Sequence, residues 1–310
     1  MAKGEEGSMA KGEAGSMAEG GQGSTAEVGQ GSSGSSSITG SLLGIPVKDF
    51  SRLMKSGVDC KASVVRVLVK KETEVDERQR DGTVNVGSAL VALAGNQRVL
   101  CLTANHIFLH VKGDVKPYLR FCGEPTDYEL TIIYQDEACD LCLFMNKFEI
   151  DGLQSKVKSM IFNPREINEG THVVVLGYSH PTLILPNRDG NGRDQYELVA
   201  VKRPTPLPGT LCIPGYVKES FKGDEFYEAL KYNVSAMSGF SGSPVIVEGQ
   251  VIGIHLGREA GERDGIGNRT IKTTLRRWLN ILDGDDEHVT IEELLARINE
   301  VIRQRIEDQV

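Results

Sequence analysis

The sequence predicts an all-β chain, a sandwich or a pair of barrels. About a dozen short β-branched runs follow one another between residues 58 and 256, separated by Gly, Pro, Asn and Asp clusters. Apolar residues at helical spacing are confined to the end of the chain. Short strands at even spacing, with turn residues between them, cannot bury their apolar faces except against another sheet or by closing on themselves.

The first forty residues repeat every eight: MAKGEEGS, MAKGEAGS, MAEGGQGS, TAEVGQGS, then a drifted SGSSSITG. A unit with one small apolar anchor and a Gly-Ser end buries too little surface to offset its ordering entropy, so 1–45 is expected to be a disordered tail. The expected strands are 64–69, 84–93, 99–102, 118–121, 129–134 and 141–145, then 172–176, 197–201, 211–213, 229–234, 245–247 and 251–256. Glu248-Gly249 between two apolar runs predicts a hairpin turn. A first helix is expected over 271–282, with Trp278 and Leu282 near one face. A second starts at Thr290, where T-x-x-E forms a capping box with Glu293. Its stripe of Ile291, Leu294, Leu295, Ile298, Val301, Ile302 and Ile306 suits docking on the chain's own barrel, with self-association through this C-terminal helix as the other use. The expected domains are thus the tail at 1–45, a β body at 58–282 and an amphipathic helix at 288–310.

Composition narrows the function classes. With 35 Lys+Arg against 43 Asp+Glu the net charge is -8, which argues against a broad basic face for nucleic acid. No apolar run approaches the roughly 20 residues that span a bilayer, and no signal peptide opens the chain, so a cytoplasmic location is expected. The six cysteines lie in strand-like stretches without paired C-x-x-C spacing, so neither a metal nor a cofactor is expected. Cys139 and Cys142 form one C-x-x-C, read as small buried hydrophobes rather than a redox pair because no βαβ pattern surrounds them. His110, His172, His180 and His288 lack metal-like spacing and are read as surface or packing residues.

Three segments carry chemistry in order: Leu102-Thr-Ala-Asn-His106, Asp140-Leu-Cys-Leu-Phe144 and Gly239-Phe-Ser-Gly-Ser-Pro244. Singly, they are also what a packed histidine, a turn aspartate and a tight glycine turn look like. Together they supply a hydroxyl, an imidazole to take its proton, and a carboxylate to fix the imidazole tautomer. The glycines around Ser241 allow a sharp turn that aims the N–H groups of Gly239 and Ser241 at one developing oxyanion.

In these blocks the chain resembles the chymotrypsin-like serine proteases over about residues 58–280. The resemblance implies two six-stranded antiparallel barrels, with His106 and Asp140 from the first and Ser241 from the second. Secreted trypsins have a cysteine directly after the catalytic histidine, where this chain has Ile107, and an aspartate directly before the serine, where it has Phe240. Without that carboxylate the zymogen switch has no acceptor, and Ile38-Thr39-Gly40 reads as linker rather than a processed start.

Gly253-Ile-His255-Leu-Gly257 resembles the G-[IV]-H-x-G block of viral 3C-like proteases, the serine-dependent arterivirus and sobemovirus types included. There the histidine donates to a substrate Gln or Glu. The resemblance implies a specificity pocket of His255, Ser235, Gly253 and Gly257; where that branch often has Thr five residues before the nucleophile, this chain has Ala236. The expected function is a serine endopeptidase processing a viral polyprotein after Gln or Glu. The alternatives are a cellular, intracellular trypsin-like or HtrA-like protease, and a protease-fold binding protein with a dead site.

Overall fold

The structure is a computed structural model that describes residues 41–42, 44–72, 83–180, 182–188, 194–199, 202–220, 223–257, 263–281 and 288–308. The octapeptide repeats, Ile38-Thr39-Gly40 and Leu282 lie outside the described residues. Two short strands, β1 (Ser41–Leu42) and β2 (Ile45–Pro46), pair just before helix α1 (Val47–Asp59). The first barrel follows: β3 (Val64–Lys71), β4 (Thr83–Ala94), β5 (Val99–Ala104), β6 (Val115–Arg120), β7 (Tyr128–Asp136) and β8 (Leu141–Asn146), closed in the order β3-β4-β5-β8-β7-β6. A short helix α2 (Leu153–Lys156) leads into β9 (His172–Gly177). Then come a separate hairpin of β10 (Thr182–Arg188) and β11 (Asp194–Val199), followed by β12 (Thr205–Ser220), β13 (Gly223–Tyr232), β14 (Pro244–Val247), β15 (Gln250–His255) and β16 (Arg263–Gly267). The second barrel closes as β12-β13-β16-β15-β14-β9, every pairing in both barrels being antiparallel. Helices α3 (Asn268–Trp278) and α4 (Ile291–Glu307) end the chain. This is the chymotrypsin-like fold.

The strands read as continuous apolar runs because both of their faces are buried. On β8, Cys142 and Phe144 point into the core of the first barrel, whereas Leu141, Leu143 and Met145 join the core between the barrels and the helices. That alternation is the two-residue period of a strand. The second barrel closes around Val173, Val175, Leu211, Leu230, Phe240, Val245 and Ile252. The shared core runs from Leu90, Leu102 and Leu176 through Ile254 to Ile271, Leu275 and the α4 side chains Leu294, Leu295 and Ile298.

Three sequence expectations need correction. Helix α1 was not expected, although Phe50, Leu53 and Met54 lie at helical spacing; it packs its Gly57 against Val174 and Pro206 of the second barrel. The run at 197–201 is no barrel strand, since β11 pairs only with β10. The barrel instead uses Thr205–Thr210, whose Pro206 and Pro208 argue against a strand by composition. They are accommodated because this part of β12 pairs on one side only, with β9. Gly-rich β16 was likewise missed.

The Glu248-Gly249 turn forms as expected, with positive φ at both residues, 50° and 84°. The capping box is present too: Glu293 N–H donates to Thr290 Oγ1 at 3.2 Å, and Thr290 N–H to Glu293 Oε2 at 2.7 Å. Of the α4 stripe, Ile291, Leu294, Leu295, Ile298 and Ile302 are buried against the chain's own core, and Val301 and Ile306 are half-buried.

Leu295 is fully buried on α4. Leu295→Ala is therefore expected to cost about 2–5 kcal/mol in a urea titration, with a midpoint that does not move with protein concentration. A concentration-dependent midpoint would return the helix to self-association.

Candidate active site

Strand register brings the first two residues together. Ala104 at the end of β5 pairs with Leu141 at the start of β8, so the chain leaves β5 toward His106 where it enters β8 from Asp140. Asp140 sits at φ 56°, a left-handed conformation that aspartate tolerates better than most residues. This turns both of its carboxylate oxygens onto one partner. Oδ1 accepts the His106 main-chain N–H at 2.7 Å, and Oδ2 lies 2.6 Å from His106 Nδ1. The Asp140 carbonyl also accepts from Asn105 N–H at 3.0 Å, and Asn105 Oδ1 from Gln135 Nε2 at 2.7 Å. With Nδ1 committed to the carboxylate, Nε2 is left to exchange a proton.

Ser241 sits in the turn between β13 and β14, where the peptide planes are held from behind. His180 N–H donates to the Ser238 carbonyl at 2.7 Å, Ser88 Oγ to the Gly239 carbonyl at 2.9 Å, Ser243 N–H to the Phe240 carbonyl at 3.0 Å and Ser88 N–H to the Ser241 carbonyl at 2.8 Å. In a trans peptide the N–H points away from the carbonyl. Tethering the Ser238 and Phe240 carbonyls therefore aims the Gly239 and Ser241 N–H groups to the opposite side. Neither N–H donates to a protein acceptor among the described residues. Gly239 (φ 95°) and Gly242 (φ 82°) make the turn possible, and a Cβ on Gly242 would overlap the Ser88 carbonyl and the Thr103 hydroxyl. Phe240 is fully buried in the second barrel, filling with carbon the place where a trypsin switch keeps a carboxylate.

The Ser241 hydroxyl donates to the Leu256 carbonyl at 3.3 Å, and no Ser241–His106 hydrogen bond is present among the described residues. Catalytic hydrogen bonds of this kind are often long in the free enzyme and tighten with substrate.

His255 ends β15 beside this turn: its N–H donates to the Ser243 carbonyl at 2.8 Å, and its own carbonyl accepts from Gly242 N–H at 2.7 Å. Its Nδ1 lies 2.6 Å from the hydroxyl of Tyr232, and both side chains are 1 % exposed. At Gly257 (φ 77°) the position a Cβ would occupy is 3.6 Å from His255 Nε2 and 3.6 Å from Ser241 Oγ. Gly257 thus puts no side chain between imidazole and hydroxyl.

Tyr232 and the Leu256 carbonyl escaped the sequence reading, because only the pairing of β13, β15 and β16 places them here. Two expected pocket residues are not brought in. Gly253 is walled between β14 and β16, with Ile266 and Leu230 against it, so it cannot meet a substrate strand. Ser235 is exposed on the loop after β13 and makes no hydrogen bond among the described residues.

Cys139 and Cys142 face different cores, and burial pushes the Cys139 thiol up to about 12 and that of Cys142 higher still. They are packing residues. Among the described residues no cluster of His, Cys, Asp and Glu is placed to hold a metal ion, and no helix is long and apolar enough to cross a membrane.

Comparison with protein families matches residues 87–254, more than half of the chain, to the trypsin-like peptidase domain, and the chain belongs to that family. It is a serine protease, a hydrolase whose substrate is a polypeptide. No curated protein sequence matches it. Similar solved structures include the active form of the Rv3671c protease of M. tuberculosis, at 18 % identity and TM-score 0.48 over 72 % of this chain and 83 % of that one. The inactive form of a Rv3671c serine-to-alanine mutant matches at 17 % identity and TM-score 0.49, over 72 % and 90 %.

The turn geometry makes a contrast between two glycines. Gly242→Ala is expected to lower turnover by about 10²-fold, because relief of the overlap displaces Ser241. Gly249→Ala, also at positive φ but with open space around it and remote from the turn, should lose about 1 kcal/mol of stability and keep its turnover per folded molecule. Equal turnover in both variants would show that the packing behind Gly242 does not position the serine.

Proposed function

We propose that the protein is a cellular, intracellular serine endopeptidase that cleaves polypeptides after Glu or Gln through an acyl-enzyme. Ser241 Oγ attacks the scissile carbonyl carbon while its proton passes to His106 Nε2, and Asp140 holds the resulting imidazolium. The Gly239 and Ser241 N–H groups bind the oxyanion. Collapse of the tetrahedral intermediate breaks the C–N bond, and His106 returns the proton to the leaving amine. Water then repeats the sequence to release the acid and regenerate Ser241.

The observation that carries the specificity is the closeness of Ser241 Oγ and His255 Nε2 on either side of the side-chain position that Gly257 lacks. In the tautomer in which Nδ1 accepts from the Tyr232 hydroxyl, the ring proton is on Nε2, a donor of the kind that suits the side-chain oxygen of Glu or Gln. A pocket built on such a bond rejects side chains that lack the acceptor.

Two observations favour the cellular alternative over polyprotein processing. The matched family is the general trypsin-like peptidase domain, and all six cysteines stand as free thiols, which suits a reducing compartment. The intact donor and acceptor set weighs against a dead binding protein.

Ser241→Ala is expected to lower peptidase turnover by at least about 10³-fold without loss of fold, and Asp140→Asn by about 10⁴-fold through the wrong imidazole tautomer. Near-normal turnover by pure Ser241→Ala would overturn the nucleophile assignment. On a peptide library read by mass spectrometry, wild type should cut after Glu or Gln. His255→Ala should lose about 10²-fold or more of kcat/KM on those substrates, and Tyr232→Phe about 10-fold, while both keep their rate of labelling by a small fluorophosphonate. Parallel loss of labelling and cleavage would make His255 a packing residue.

A further inference from the structure

We propose that Ser88, on β4 of the first barrel, is the residue that positions the oxyanion hole of the second. The inference rests on the reading of Ser241 as nucleophile with the Gly239 and Ser241 N–H groups as the hole.

Ser88 is fully buried, and its N–H and hydroxyl are both bonded across the joint between the barrels while its carbonyl is bonded within the first. Its N–H donates to the Ser241 carbonyl at 2.8 Å, and its carbonyl accepts from Thr103 Oγ1 at 2.6 Å. Its hydroxyl accepts from Tyr178 N–H at 2.8 Å and donates to the Gly239 carbonyl at 2.9 Å. A hydroxyl has one proton, and the Tyr178 N–H can only donate, so that proton is directed to Gly239.

Gly239 has no side chain to restrict its dihedrals and stands at φ 95°. Its carbonyl belongs to the Gly239–Phe240 peptide, which lies between the two peptides that carry the oxyanion donors and whose own N–H donates to the Met237 carbonyl at 3.2 Å, so a displacement of this middle peptide shifts the donor peptides on both sides. The main-chain bonds of Ser88 survive any substitution short of proline, whereas the bond to the Gly239 carbonyl exists only if residue 88 carries a donor. The hydroxyl is therefore separable from the strand that bears it. Ser88 touches no reacting atom; it acts through Gly239.

The test compares Ser88→Ala and Ser88→Cys with wild type, after near-ultraviolet circular dichroism has established the fold. One readout is kcat against KM on a Glu or Gln peptide. The second is the ionisation of the hemiketal formed with a peptidyl trifluoromethyl ketone carrying ¹³C at the ketone carbon, followed by NMR across a pH series. Removal of one oxyanion donor outright costs about 10²–10³-fold in kcat, so misalignment in Ser88→Ala is expected to cost about 10–10²-fold with KM changed by less than about threefold. The hemiketal pKa should rise, by about one unit per tenfold loss. Ser88→Cys, with a weak donor, should fall between, and it carries the test alone if the alanine variant does not fold. Unmoved kcat and hemiketal pKa in a folded variant overturn the role of Ser88. So does a lowered kcat with an unmoved hemiketal pKa. If wild type forms no hemiketal, or Ser241→Ala keeps its turnover, the nucleophile reading fails and the proposal falls with it.

Discussion

A pair of hydrogen bonds made by one buried strand residue ties the two barrels together. Ser88 donates its N–H to the Ser241 carbonyl and its hydroxyl to the Gly239 carbonyl, while its own carbonyl accepts within the first barrel from the hydroxyl of Thr103, three residues before His106. Imidazole and hydroxyl come from different barrels, and this joint links the strands that carry them. All three of Ser88, Thr103 and the flanking Ser243 are fully buried, where hydrogen bonds act in a low dielectric and an unmade one is costly. Gly242 lets the barrels close to that distance. The demand for a side-chain-free residue after the nucleophile therefore comes from the opposite barrel as well as from the turn itself.

The carboxylate is supported from a third direction. Helix α3 leaves the second barrel and lies against the turn of the first that presents Asp140. Trp278 stacks on Tyr134 with ring centroids 5.2 Å apart, Arg277 pairs with Asp136 at 3.3 Å, and Thr274 Oγ1 lies 3.4 Å from Cys139 Sγ. Asp136 in turn accepts from the N–H groups of Ala138 and Cys139, at 2.9 and 3.1 Å. A turn held at its side chains and its backbone can keep Asp140 in a left-handed conformation that a free loop would leave. Helix α4 packs on α3, the helix that braces this turn.

The sequence was most legible where local pattern and tertiary role coincide. Strands buried on both faces announced themselves as apolar runs. The three chemical segments were readable because a serine nucleophile needs an imidazole, a carboxylate and a glycine-bearing turn wherever the chain folds. What escaped depended on pairing. Thr205–Thr210 looks unlike a strand until one of its edges is seen to be unpaired. Tyr232 is one aromatic among several until β13 and β15 are joined through β16. Gly253 shares a motif with Gly257, yet two residues along a strand, then the strand's end, separate a buried glycine from one that faces the nucleophile. Ser235 entered only through the implied pocket, and the structure leaves it exposed on the loop after β13.

In the proposed function, selection and chemistry meet at one place, where the Ser241 hydroxyl and the His255 imidazole both border Gly257. Trapping shows directly whether they act on one substrate residue. The wild-type protein would be treated with peptidyl phosphonates that differ only in the side chain next to phosphorus, a glutamate mimic or a lysine mimic, and digested for mass-spectrometric mapping. The account predicts one adduct per chain, on the peptide that contains Ser241, formed much faster with the glutamate mimic. An adduct elsewhere, or faster reaction with the lysine mimic, would contradict it.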